Sequence, residues 1–144
     1  MTLHVKRTDP FAILPRYATA GAAAMDLSAC LDEEITLAPG QRAVIPTGIS
    51  MAIPPAHVGL LFARSGLAIK SGIALANGVG VIDSDYRGEI KVGLINLSDA
   101  PYTIQHGQRI AQLAIIPFVQ AHPVELDFLE DTDRGTGGLG STGV

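Results

Sequence analysis

The sequence predicts an all-β fold, a sandwich, jelly roll or barrel, on three observations. Short runs rich in Val, Ile, Leu and Thr recur every eight to twelve residues; clusters of Pro, Gly, Asn and Asp separate them; and only "SGLAIKSGIA" carries a helical signature. Such spacing leaves little room for βαβ units.

"LHVKR" opens the series of strands. "FAILPRYATAGAAAM" has an amphipathic look, but Pro15 and Gly21 break it, and a loop lining the core is the plainer reading. "MDLSA" and "EITL" follow as strands, and Pro39-Gly40 reverses the chain into "RAVIPTG", "ISMAI" and "HVGLLFA". After the short helical stretch come "GIAL", "GVGVID" and "EIKVGLINLS", the last with imperfect alternation. "YTIQ" and "RIAQLAIIPFV" flank a second reversal at His106-Gly107; the latter run is continuously apolar, as a strand covered on both faces would be. "TLAPGQRAV" and "TIQHGQRIA" share a Gly-Gln-Arg turn, which a weak duplication or a recurring hairpin solution explains equally well.

A chain of 144 residues fits one domain, with the β-rich part at 1–130. From Asp131 the composition turns glycine-rich without apolar periodicity, so 131–144 is expected to be a flexible arm that closes over an anion. A hydrophobic fraction of 47% against 17% charged residues gives more apolar surface than a small monomer hides, and an oligomer is expected. The net charge of −4 argues against a nucleic-acid partner. Cys30 is the only cysteine, which excludes an intrachain disulfide and fits a reducing compartment. "ISMAIPPAHVGLLFA" is interrupted by Pro54, Pro55 and His57, too short a run for a membrane span, so a soluble, cytoplasmic protein is expected.

Several polar groups stand where an apolar strand ends. In "ARSGLA", Arg64 offers a forked cation and the Ser65-Gly66 step offers backbone N–H groups to phosphate oxygens, although a Ser65 helix cap beside a surface arginine accounts for the same residues. "GVGVIDSDYRG" places Asp83 and Asp85 on one face if the strand continues through them; one carboxylate would polarise a water, and a solvated turn is the alternative. Asp26, inside an apolar run, needs a partner or a metal, and Gln112 in "GQRIAQLAI" must likewise face something. "RGTGGLGSTG" lacks the lysine of a phosphate-binding P-loop, yet its glycines permit close approach to phosphates. The four histidines show no paired spacing and suggest no metal site.

Taken in order, "AAAMDLSA", "ARSGLA", "NGVGVIDSDYRGEI", "GQRIAQLAI" and "RGTGGLGSTG" resemble the five motifs of the homotrimeric dUTP diphosphatases, the dUTPases, across Ala22 to Gly143. The resemblance implies a jelly-roll-like β-barrel of the dUTPase β-clip type, assembled as a homotrimer with active sites shared between subunits. It implies hydrolysis of dUTP to dUMP and pyrophosphate with Mg²⁺ on the triphosphate, which lowers dUTP and supplies dUMP for thymidylate synthesis. Asp83 matches the aspartate that activates the water attacking the α-phosphorus, and Tyr86 the residue that packs under deoxyribose and excludes a 2′-hydroxyl. Asn77 and the backbone at Gly80 match the hairpin that reads uracil. Arg64, Ser65, Gly66 and Gln112 match phosphate-contacting positions, Asp26 the acid that holds Mg²⁺ through water, and Arg134, Ser141 and Thr142 the closing arm.

Leu139 departs from that pattern, since the family usually carries a phenylalanine there that stacks on uracil. Aromatic stacking on a base is worth roughly 1–3 kcal/mol, so leucine implies a weaker lid. A dCTP deaminase of the same fold shares the "RS" step but needs a glutamate with no match near "ARSGLAIKSG"; a catalytically silent, nucleotide-binding regulator is the other alternative.

Overall fold

The computed structural model describes residues 1–138. Its strands run, in order, β1 (His4–Arg7), β2 (Arg16–Tyr17), β3 (Met25–Ser28), β4 (Ile35–Leu37), β5 (Arg42–Ala52) and β6 (His57–Phe62). The helix α1 (Ser65–Ser71) then precedes β7 (Ile73–Leu75), β8 (Gly80–Ile82), β9 (Glu89–Asn96), β10 (Tyr102–Ile104) and β11 (Arg109–Pro117). They form a four-stranded sheet in the order β1-β5-β9-β7, a five-stranded sheet β2-β3-β11-β6-β8 and the pair β10-β4. The all-β, jelly-roll-like fold expected from the sequence is present, divided between separate antiparallel sheets.

Period-two alternation builds the core. Along β9, Ile90, Val92, Leu94 and Asn96 turn inward while Lys91 faces out, a cleaner alternation than the sequence suggested. From the other sheet Leu27, Leu61 and Leu113 meet the same apolar cluster, which Leu37 and Ile104 extend. Asn96 is fully buried on the inward register, and its side-chain amide donates to Leu37 O at 2.9 Å and Ala100 O at 2.8 Å while its carbonyl accepts from Ser98 N and Oγ. A buried amide so placed is satisfied, and it ties three chain segments together.

Two strand expectations change. "RAVIPTG" and "ISMAI" are one strand, β5, because a register shift between Pro46 and Ser50 absorbs both Pro46 and Gly48 without ending the ladder. Gly48 sits at φ +64° and a Cβ there would lie 2.7 Å from that of Ala12, so only glycine fits. Beside it Cys30 is buried; burial, aided by a hydrogen bond to Asp9 and nearby carboxylates, pushes its thiol up to about 11. β11 is central in its sheet, but the face bearing Gln112 and Ala114 is only half covered within one chain.

The two Gly-Gln-Arg turns are the same structural solution. Gly40 and Gly107 take φ +75° and +76°, and in each turn the glutamine carbonyl accepts from a backbone N–H three residues earlier, Gln41 from Ala38 and Gln108 from Gln105. The strands entering them, β4 and β10, pair with each other, with Thr36 opposite Thr103 and their hydroxyls 2.8 Å apart.

Candidate active site

Two separate hollows are lined by polar residues singled out above, one by Asp26, Arg64, Ser65 and Gln112 and the other by Asp83 and Tyr86. The first lies on the outer face of the five-stranded sheet, where Asp26 on β3 stands opposite Gln112 on β11 in register. α1 begins just past the end of β6, with Arg64 as its cap residue at φ −84°, ψ 126°, so the Ser65 cap reading gives way and Ser65 and Gly66 become its first exposed residues. Their N–H groups have no earlier helical carbonyl to bond. Asp26, Arg64, Ser65, Gly66 and Gln112 line a hollow of about 340 Å³ walled by Ala22, Ala23 and Ala24.

Arginines hold both oxygens of Asp26. Arg64 donates through Nε to Oδ1 at 2.8 Å, and Arg109 through Nη1 to Oδ2 at 2.9 Å. Gln112 donates from Nε2 to Ala63 O at 2.9 Å, which fixes the amide across the root of α1. Among the described residues Asp26 is the only carboxylate lining this hollow, and no group of three or more metal-ligating side chains is assembled. Mg²⁺ keeps most of its waters and relies on substrate phosphates, so a single carboxylate with spare lone pairs fits a water-mediated hold.

The second hollow, about 210 Å³, is lined by Val81, Ile82, Asp83, Tyr86, Glu89, Ile90 and Lys91. β8 ends at Ile82, so Asp83 to Tyr86 form a turn, with Tyr86 N donating to Asp83 O at 3.2 Å, and the expectation that Asp83 and Asp85 share a strand face does not apply. Arg87 Nη1 staples this turn by donating to Ser84 O at 2.6 Å and Tyr86 O at 2.9 Å. Tyr86 donates from its hydroxyl to Glu89 O at 3.0 Å, and its ring lies where a Cβ on Gly88 would be. Asp83 is exposed at the mouth of this hollow.

Asn77 is exposed on the turn before β8, where Gly78 takes φ +73°. Gly80 is buried, and a Cβ there would lie 2.9 Å from Leu61, so core packing already explains that glycine. Arg134 is exposed and donates from Nε to Gly137 O at 3.0 Å, away from both hollows' lining residues. Leu139, Ser141 and Thr142 lie outside the described residues.

The register fixes how far apart the hollows are. Asp26, Gln112 and Phe62 lie in one row across β3, β11 and β6, while Gly59 pairs with Ile82 beside Asp83. Three strand spacings across and about four residues along separate Asp26 from Asp83, or roughly 20 Å. Sequence reasoning missed Arg109, Glu89, Lys91 and Gly88 as members of these sites. For Arg109 strict alternation pointed the wrong way, and for the others no local signal distinguishes them from ordinary strand residues.

Fold and site together define a jelly-roll-like β protein with one hollow where arginines flank a carboxylate and a separate acidic turn. A family model described as dUTPase matches residues 11–143. The deoxyuridine 5′-triphosphate nucleotidohydrolase of Desulfitobacterium hafniense is 55% identical over 139 residues, covering 96% of this chain and 92% of that protein. The same-named protein of Methylocella silvestris is 50% identical over 148 residues, covering 100% and 92%. A Staphylococcus bacteriophage 80alpha dUTPase solved with dUpNHpp superposes with a TM-score of 0.90 at 29% identity, covering 99% of each chain. The chain belongs to the dUTPase family.

Proposed function

We propose that the chain hydrolyses dUTP to dUMP and pyrophosphate by attack of an Asp83-activated water at the α-phosphorus, in sites shared between the subunits of a homotrimer. The observation that carries this reading is the turn after β8, which presents an exposed carboxylate beside a tyrosine whose ring and hydroxyl are both fixed. Asp83 would accept the proton of the attacking water, and the Tyr86 ring would lie under the deoxyribose where a 2′-hydroxyl would collide. Arg64, Ser65, Gly66 and Gln112 would grip phosphate oxygens, cancelling charge as it builds on the leaving pyrophosphate. Mg²⁺, held by Asp26 through water, would neutralise the triphosphate. Asn77 and the backbone near Gly80 would read the base, and Arg134 with Leu139, Ser141 and Thr142 would close the site.

The separation of the hollows supports sharing between subunits. A general base works within about 3 Å of the proton it takes, so a base roughly 20 Å from the phosphate-binding side chains serves substrate held by another chain. The half-covered outer face around β11 and the exposed Val81 on β8 leave apolar surface for such a neighbour. Beyond Pro117 the chain continues exposed, with Val124, Leu126 and Phe128 alternating against Glu125 and Asp127, a strand pattern suited to pairing with another copy.

Pyrophosphate release measured with Mg²⁺ for dUTP beside UTP, dTTP and dCTP tests the reading: release from dUTP alone is expected. Ammonia released from dCTP would instead identify a deaminase, and tight dUTP binding without turnover a regulator. Gly88 gives a finer check on Tyr86. A Gly88→Ala chain is expected to push the ring from its seat, lowering kcat/KM for dUTP by roughly 10–100-fold and narrowing the preference over UTP. Unchanged discrimination would remove Tyr86 from sugar selection.

A further inference from the structure

We propose that Arg109 is a phosphate-binding residue and that Asp26 acts as a yoke, setting the guanidinium groups of Arg64 and Arg109 side by side to receive a polyphosphate. The inference rests on reading this hollow as the triphosphate site, and it adds a residue and a positioning role to that reading.

Backbone geometry is the first support. On β11 Ala111 and Leu113 face the core, so strict alternation would send Arg109 inward with them. The pairing with β3 breaks that alternation: Arg109 stands opposite Ser28 and Ala111 opposite Leu27, two steps on one strand against one on the other. This β-bulge gives the inward place to Ile110, which is 1% exposed, and turns Arg109 out onto the face of Gln112 and Asp26. An interior guanidinium would be prohibitively costly, so the bulge reconciles a cation with a core strand.

Charge is the second support. Two arginines on one carboxylate leave a net positive charge beside a hollow that Asp26 and Arg64 line and whose other walls are mainly alanine, with Arg109 reaching its edge through Asp26. Each guanidinium spends a single named nitrogen on Asp26, Nε of Arg64 and Nη1 of Arg109, and carries further N–H donors for phosphate oxygens. The Arg109 side chain is 51% exposed, and an ion pair so open contributes little to stability. Its placement therefore calls for an explanation other than holding the fold together.

The experiment is calorimetric titration of the assembled protein with dUpNHpp and with dUMP, each in EDTA and with Mg²⁺, for wild type, Arg109→Gln, Arg109→Lys and Asp26→Asn. Thermal melts on the same samples confirm folding. Arg109→Gln is expected to weaken dUpNHpp binding by about tenfold or more, the scale of one lost charge-assisted hydrogen bond, while dUMP binding changes less than about threefold. Arg109→Lys is expected to recover part of the loss. Asp26→Asn is expected to weaken dUpNHpp binding in EDTA as well as with Mg²⁺; a defect confined to the Mg²⁺ samples would overturn the yoke and leave Asp26 a metal-water ligand only. Wild-type affinity in a folded Arg109→Gln protein would overturn Arg109 as a phosphate ligand. Absence of any dUpNHpp binding by wild type would instead sink the reading of the hollow itself.

Discussion

Asp83→Asn is expected to release pyrophosphate from dUTP at least about 10³-fold more slowly than wild type, with the fold and substrate binding retained. The amide keeps the size and hydrogen-bonding reach of the side chain but cannot accept a proton from water. Asp83 is exposed, at the end of β8 and outside the core, so the substitution should leave the melting temperature nearly unchanged. A variant that keeps more than about a tenth of wild-type turnover would disqualify Asp83 as the base. Mixing adds a test of sharing: Asp83→Asn chains reassembled with equal amounts of Gln112→Ala chains should regain about a quarter of wild-type activity, because random pairing rebuilds one intact site in four. No recovery would mean that each chain supplies both hollows to its own site.

Asn96→Ala is expected to be the most damaging substitution for stability. It leaves Leu37 O without its side-chain donor in the core, at about 1–3 kcal/mol, and removes the amide's bonds to Ala100 O and Ser98 N in the partly exposed loop that follows, where Ala100 O keeps Ser98 Oγ at 3.0 Å. A total of about 2–3 kcal/mol corresponds to a melting temperature lowered by about 6–10 °C. Asn96→Asp should also destabilise strongly, since a carboxylate cannot donate to either carbonyl. A loss below about 1 kcal/mol would show that water or local rearrangement satisfies these groups.

Much of this was legible in the sequence, for reasons that particular residues make clear. The strand β9 follows from its imperfect alternation and β11 from its continuous apolar run, and the reversals at Gly40 and Gly107 from residues that tolerate positive φ. The gathering of Asp26, Arg64, Ser65, Gly66 and Gln112 follows from the motif order that resembles dUTPases. Other features depend on how strands pair, which no local pattern reports. The continuity of β5 through Pro46 needs β9 beside it, and the outward Arg109 needs the bulge against β3. The distance between Asp83 and Asp26 needs the order β3-β11-β6-β8. The reason for a glycine at 80 needs Leu61, which is nineteen positions earlier in the chain.

The spacing of the two hollows also bears on how the enzyme behaves at low abundance. On the proposed sharing of sites, base and phosphate grip belong to different chains, and the catalyst is, in effect, assembled by mass action. Its specific activity would fall on dilution once subunits separate, even with every monomer folded, and bound nucleotide bridging two chains would oppose that separation. Substrate would then act as a glue for the oligomer that consumes it, coupling the amount of working enzyme to the amount of nucleotide present.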